Sequence, residues 1–154
     1  MSVSPTQRSI AFCKGNGWPY AIVEHFNPVV KVRVDLWGVG DMLVLDDEPG
    51  SLIVQACVGG SHATRRTKIE KTLAGHATDG MSKLTLANVA KKAEALTRWL
   101  EKGNRIEVWS WSKTGAKHKR KLWTLRRELI TLEPKPEETD EDPRRRAPGK
   151  VSPF

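Results

Sequence analysis

The 154-residue sequence has few cysteines, only one Tyr and three Phe, and no long apolar run. Its two cysteines, Cys13 and Cys57, are too few for a disulfide framework, so we expect reduced thiols and a cytoplasmic protein. With no stretch of about eighteen apolar residues and no signal-peptide pattern, we expect no membrane span. No helical pattern is both strongly basic and strongly apolar on one face, so we also expect no membrane partner.

Acidic residues are in the minority. The sequence has 26 Lys and Arg against 18 Asp and Glu, a formal net charge of +8. An excess of positive charge favours an anionic partner, and DNA is the commonest candidate. The length and a hydrophobic fraction of 38% predict one domain, over residues 1–132. Residues 133–154 are rich in proline and charge and are predicted to be a disordered tail.

Hydrophobic spacing predicts helices and strands in mixed order. A helix with apolar residues every three or four positions is predicted over 85–102, with Gly103 as its C-terminal cap. A half-buried strand is predicted over 30–36, where valines alternate with charged residues. The other predicted elements are a short helix at 5–12, strands at 20–26, 42–45 and 51–57, a helix at 62–74 and strands at 105–111 and 122–132. This order predicts an α/β (α+β) domain with a mixed sheet.

Polar residues beside the predicted hairpin of 42–45 and 51–57 indicate a metal site. Asp41 opens the first strand, Gln55 lies on the second, and Glu24 lies on an earlier strand. Hard cations such as Mg²⁺ or Mn²⁺ take oxygen ligands, so Asp41, Glu24 and the side-chain carbonyl of Gln55 are candidate ligands. Cleavage of a phosphodiester also needs a basic side chain, and Lys68 or Arg65 on the following helix is the candidate.

Each of these residues also has a structural explanation. An Asp after Gly is often a turn residue, a Gln in an apolar strand is often a hydrogen-bonded buried amide, and a strand Cys is usually a small hydrophobe. The alternative for Glu24 is an ion pair with a nearby Arg. A zinc site made of Asp41, Cys57, His25 and His62 fits the ligand types, although no tight Cys/His spacing supports it.

A basic segment lies between the last two predicted strands. It carries seven basic residues and no acidic one: Lys113, Lys117, Lys119, Arg120, Lys121, Arg126 and Arg127. We expect the segment to contact nucleic-acid phosphates, and the alternative is a solvated surface. Arg65 and Arg66 are further predicted DNA contacts. Nearby tryptophans could stack on unpaired bases, but alternation favours at least partial burial of Trp109 and Trp111.

The run from Gly40 to Leu45, a turn, the run from Leu52 to Cys57 and the basic helix together resemble the PD-(D/E)xK nuclease superfamily. The similarity is strongest to small phage and bacterial members related to Holliday-junction resolvases and VRR-type nucleases. Segments 23–28, 33–38, 60–62, 99–103, 119–123 and 126–127 look like further features of this group, so the resemblance spans about residues 5–132. It implies a restriction-endonuclease-like mixed sheet flanked by helices, and a hydrolase that cleaves DNA with Mg²⁺ or Mn²⁺.

The resemblance assigns roles position by position. Asp41 matches the first metal-binding Asp, and Glu24 matches an additional upstream Glu. Gln55 stands where the second acidic residue belongs, and Cys57 stands where the lysine belongs. The amide of Gln55 brings no charge to the site. The thiol of Cys57, with an unperturbed pKa of ~8.5, is mostly neutral and cannot replace an ammonium. Our hypothesis is therefore that Lys68 is a relocated lysine.

These two departures leave two functions open. The first is a metal-dependent DNA nuclease acting on branched or otherwise structured DNA. The second is a catalytically inactive nuclease-fold DNA-binding protein. A phage structural or adaptor protein explains the charge and the motif order less well. Resolvase-like relatives often act as dimers, which leaves a homodimer open.

Overall fold

The computed structural model describes residues 2–76 and 80–132. Their helices and strands confirm the predicted α/β (α+β) class with a mixed sheet. In chain order they are α1 (Pro5–Asn16), β1 (Tyr20–Ile22), β2 (His25–Asn27), β3 (Val32–Val34), β4 (Met42–Val44), β5 (Leu52–Val58), a 3-10 turn (Gly59–Ser61), α2 (His62–Leu73), α3 (Lys83–Glu101), β6 (Arg105–Thr114) and β7 (Leu122–Leu129). The tail predicted over 133–154 lies outside the described residues.

The main sheet has five strands in the order β1-β4-β5-β6-β7. Its neighbours pair antiparallel, except that β5 and β6 are parallel with Ile53 opposite Ile106. A parallel pair needs a long crossover connection, and α2 and α3 supply it. The predicted β4–β5 and β6–β7 hairpins are confirmed. β2 and β3 form a separate two-stranded ribbon.

Helices cover both faces of the main sheet. On one face, α1 packs over Leu52 and Trp109. On the other face, Ile69 of α2 and Leu96 of α3 pack with Ile53. Because β5 is covered on both sides, its sequence is a nearly continuous apolar run instead of an alternating one.

Local signals define the helix ends. Ser4 accepts a hydrogen bond from a backbone N–H of α1 in a capping box, and Gly17 ends this helix with φ of 70°. Ser82 caps α3 through the backbone N–H of Thr85. Gly103 follows α3 with φ of 83°, as predicted.

Two predicted strands are shorter in the structure. The strand predicted over 20–26 is interrupted because the N–H groups of Val23 and Glu24 both donate to the carbonyl of Asp41, at 3.0 and 3.3 Å. The strand predicted over 30–36 is limited to β3, and its residues are exposed instead of half-buried. The reason is tertiary, since the β2–β3 ribbon is not part of the main sheet.

Trp109 and Trp111 are buried, which confirms the burial expected from strand alternation. Phe12 of α1 contacts both rings edge-on. Neither indole is therefore free to stack on a base. None of the helices formed by the described residues has the length and apolarity that crossing a bilayer requires.

Candidate metal centre and nucleic-acid interface

Three carboxylates converge beside the start of β4. One oxygen each of Glu24, Asp35 and Asp41 lies within 4.8 Å of the others, and among residues 2–76 and 80–132 this is the cluster of side chains suited to holding a metal ion. The sequence predicts Glu24 and Asp41 as ligands, and the structure brings them together. It adds Asp35, which the sequence pattern does not predict as a ligand.

The register of the small ribbon explains why Glu24 and Asp35 meet. His25 of β2 pairs with Val34 of β3 in antiparallel register. The next residues along this register are Glu24 and Asp35, so the two carboxylates face each other at the open end of the ribbon. Directly opposite residues of an antiparallel pair have Cβ atoms about 5 Å apart.

A second turn brings Asp35 next to Asp41. Leu36 and Gly40 form an antiparallel bridge, and Asp35 and Asp41 are the next residues along the same register. The connection at Trp37–Gly38 is tight, since both residues have positive φ, 52° and 72°. Only glycine adopts this conformation without strain. A sequence signal for Asp35 as a ligand therefore exists: a tight turn at Trp37–Gly38, with Asp35 before it and Asp41 after it, brings the two carboxylates together.

Asp41 is also held from the neighbouring strand. Met42 pairs with Val54, so Asp41 stands opposite Gln55 across the β4–β5 register. Its Oδ2 accepts hydrogen bonds from Gln55 Nε2 at 2.7 Å and from the backbone N–H of Ala56 at 2.9 Å. Its Oδ1 accepts none from the part of the chain that the structure describes, which leaves one oxygen available to a cation.

Burial raises the pKa of Asp41 to about 6. The hydrogen bond from Ala56 lowers it, the negative charges of Glu24 and Asp35 raise it further, and the positive charge of Arg65 lowers it. A carboxylate crowded by two others in a buried site is costly to ionise unless a cation joins it. A cation bound by the three carboxylates would lower this cost.

Gln55 uses its nitrogen instead of its oxygen at this site. The amide orientation is determined because Nε2 faces two acceptors, the Asp41 carboxylate and, at 3.4 Å, the carbonyl of Ala56. Gln55 is 4% exposed, so its direct contribution is to orient and hydrogen-bond Asp41. Its role as a metal ligand stays a prediction.

Two arginines act on the acidic cluster. Arg33 forms an ion pair with Glu24 at 3.4 Å, and Arg65 acts on Asp41. Arg65 lies in the first turn of α2, and its positive charge lowers the pKa of both Asp41 and Cys57. Lys68, the hypothesised relocated lysine, instead lines a groove between α2 and α3. Of the two alternatives that the sequence leaves open, the structure thus places Arg65 within electrostatic reach of Asp41.

Two residues of the zinc alternative, Cys57 and His62, have other environments. Cys57 is buried in the core, and burial raises the pKa of its thiol. Both ring nitrogens of His62 have partners, Ser110 Oγ at 2.6 Å and Glu128 Oε2 at 2.9 Å. The described residues therefore contain no zinc cluster of the predicted composition.

The Ser110–His62–Glu128 chain contains the residue types of a hydrolase triad but is closed to substrate. Ser110 is 1% exposed and His62 is 3% exposed, so no scissile carbonyl can approach the hydroxyl. Arg66 completes the network with a bond to Glu128 at 3.0 Å. This network joins α2 to β6 and β7 and has a structural role.

The predicted basic surface divides into paired and unpaired residues. Arg126 pairs with Glu128 of the same strand at 3.1 Å, whereas Arg127 pairs with Glu107 of β6 at 2.8 Å and so helps to hold β7 in place. The others form no ion pair with a described residue and lie exposed on the β6–β7 hairpin: Lys113, Lys117, Lys119, Arg120 and Lys121. Arg66, through Glu128, belongs to the paired group.

Comparison of the chain with family models, with curated proteins and with solved structures produced no match. The chemistry of the site therefore rests on its own geometry. That geometry is three converging carboxylates, one of them braced by an amide and a backbone N–H, with an arginine acting on it electrostatically.

Proposed function

We propose that this protein is a divalent-metal-dependent DNA nuclease, with branched or otherwise structured DNA as its substrate. The observation that carries the proposal is the convergence of Glu24, Asp35 and Asp41 within 4.8 Å. Three carboxylates provide the hard oxygen ligands that Mg²⁺ and Mn²⁺ prefer. The net charge of +8 and the unpaired lysines of the β6–β7 hairpin support an anionic, polymeric substrate.

Each residue at the site has a distinct part. Glu24, Asp35 and Asp41 hold the cation, which when bound activates water and stabilises charge on the phosphate. Gln55 keeps Asp41 in the orientation that leaves Oδ1 available. Arg65 stabilises the negative charge that develops on the phosphate. Lys68 is the other candidate for this role from the sequence.

Cleavage of a DNA panel tests the proposal. Single-stranded, duplex and branched substrates are incubated with Mg²⁺, Mn²⁺ or chelator. We expect metal-dependent cleavage that Asp41→Asn and Asp35→Asn each abolish. Asp47→Asn is the matched control, because Asp47 is exposed and its side chain accepts one hydrogen bond from the described residues, from Trp18. Full activity in both cluster variants would contradict the assignment.

A second candidate function is DNA binding without cleavage. The observation that favours it is Cys57, a buried neutral thiol at the position where the resemblance requires a lysine. A binder retains its DNA affinity in chelator and in Asp41→Asn and cleaves nothing with either metal. The same panel therefore separates the two functions.

A further inference from the structure

A groove between α2 and α3 carries positive charge that the proposed active site does not use. It has a volume of about 710 Å³ and is lined mainly by side chains of these two helices. Lys68 and Lys71 contribute from α2, Lys92 from α3, and His76 from the segment after α2. Thr64 and Thr67 add hydroxyl groups, and no carboxylate lines the groove.

The charges in the groove are not neutralised by the rest of the described chain. Lys68, Lys71 and Lys92 form no ion pair with residues 2–76 or 80–132, whereas Arg66 and Arg98 on the same helices do. Three unpaired ammonium groups around one concave surface repel one another, and this repulsion is relieved when an anion binds.

The groove borders the turn that joins two carboxylates of the acidic cluster. The ammonium of Lys92 lies 3.3 Å from the point where a Cβ would stand on Gly38. Gly38 belongs to the turn that joins Asp35 to Asp41, so one wall of the groove touches the loop that builds the proposed metal site. The groove and the proposed metal site therefore share the segment around Gly38 as a common border.

We propose that this groove binds the phosphodiester backbone of one nucleic-acid strand, next to the phosphate held at the carboxylate cluster. The inference rests on the proposed function for the identity of the polymer. Lysines and threonine hydroxyls are the usual phosphate contacts of nucleic-acid-binding proteins. Lys68 is accordingly a substrate-binding residue here, one that contacts a phosphate away from the metal.

The size of the groove favours one strand over a duplex. Helices α2 and α3 pack on each other, and the axes of packed helices lie about 8–10 Å apart, so the groove between them is narrower than the major groove of a DNA duplex, about 12 Å. A single extended strand fits between the two helices, whereas a duplex meets only their outer surface. The groove therefore suits substrates with an unpaired strand beside the cleavage point.

Binding of a labelled single-stranded oligothymidylate to the full chain, measured by fluorescence anisotropy in chelator, tests the inference. Lys68→Gln combined with Lys92→Gln should weaken binding at least ten-fold at 0.1 M salt and lower the slope of log K against log salt by about 1.4. The matched control combines Lys83→Gln with Lys91→Gln, two exposed lysines of α3 that do not line the groove. The control should keep the wild-type slope, and all variants should keep the wild-type melting temperature.

The possible results separate the groove from the nuclease. If the groove variant binds the strand like the control variant, the inference is wrong. If inorganic phosphate at matched ionic strength displaces the strand at millimolar concentration, the groove is a small-anion site, which also overturns it. If the groove variant loses duplex binding as strongly as single-strand binding, the choice of one strand is wrong. Binding is measured in chelator, where no cleavage occurs, so it does not depend on the nuclease. If the groove variant loses strand binding while the wild type cleaves no DNA with either metal, the groove is supported and the nuclease is contradicted.

Discussion

Gln55 donates its amide N–H to Asp41 Oδ2 at 2.7 Å, across the register of β4 and β5. The resemblance to PD-(D/E)xK nucleases implies an acidic residue at the position of Gln55, where a carboxylate would add a fourth negative charge to the cluster. The amide instead satisfies one oxygen of Asp41 and directs the other towards a ligand. Relative to an acidic residue at this position, Gln55 therefore leaves the cluster with one negative charge fewer.

Gln55→Glu should make the site depend more strongly on metal. A carboxylate at this position repels Asp41 and loses the donated hydrogen bond, so the metal-free protein should lose about 1–3 kcal/mol of stability at pH 8. The added charge should tighten Mn²⁺ binding and enlarge the rise in melting temperature that Mn²⁺ causes. Thermal unfolding with and without Mn²⁺ measures both effects. An unchanged response to Mn²⁺ would place Gln55 outside the ligand environment.

Metal binding should depend on pH through Asp41. Its pKa of about 6 means that the carboxyl is mostly protonated at pH 5 and mostly ionised at pH 7.5, and only the ionised form is a good ligand. We expect calorimetric Mn²⁺ affinity to fall at least ten-fold from pH 7.5 to pH 5. Equal affinity at the two pH values would exclude Asp41 as a ligand.

Asp41→Asn should stabilise the metal-free protein at neutral pH. Folding raises the pKa of Asp41 from 3.8 to about 6, so its favourable contribution is present below pH 4 and is lost as the pH rises through 6. The penalty at pH 7.5 is about 3 kcal/mol, and Asn removes the charge while keeping an oxygen that accepts from Ala56. Denaturant unfolding in chelator should show a gain at pH 7.5 and none at pH 4. Asp47→Asn, the exposed control, should show no gain at either pH.

Asp46, near the other end of β4, should behave in the opposite way. Burial opposes ionisation, but hydrogen bonds from Arg105 and Arg127 hold the pKa of this carboxyl below its usual value. Its contribution to stability is therefore present above pH 4 and is lost as the pH falls through the lowered pKa. Asp46→Asn should cost about 3 kcal/mol at pH 7.5, because it leaves two arginines short of a counter-charge. A neutral effect in denaturant unfolding would show that Arg105 and Arg127 are solvated instead of paired.

In the β6–β7 hairpin, the unpaired basic residues should affect DNA binding, whereas the paired ones should affect stability. Neutralising Lys117, Lys119, Arg120 and Lys121 together should lower duplex affinity and its salt dependence without changing the melting temperature, because these side chains are exposed. Arg127→Gln should lower the melting temperature, because Glu107 and Asp46 lose a partner. If the loop variant binds duplex DNA like wild type at low salt, the hairpin is only a solvated surface.

Local sequence signals were sufficient for much of the fold. The α3 helix follows from apolar residues at three- and four-residue spacing and from Gly103 at its end, and both hairpins of the main sheet follow from short apolar runs separated by turn residues. These signals are reliable because they involve neighbours in the chain. Local signals could not predict that β3 is exposed, because whether an alternating strand joins the main sheet depends on residues distant in the chain.

The sequence by itself determined the fold class, the basic charge and two of the three clustered carboxylates, Glu24 and Asp41. Only the tertiary structure decided that Asp35 completes the cluster, because its position depends on the registers of two successive hairpins. It also decided between the two basic candidates of α2: Arg65 acts on Asp41, while Lys68 faces α3. A residue's type is written in the sequence, but the direction of its side chain depends on which element packs against it.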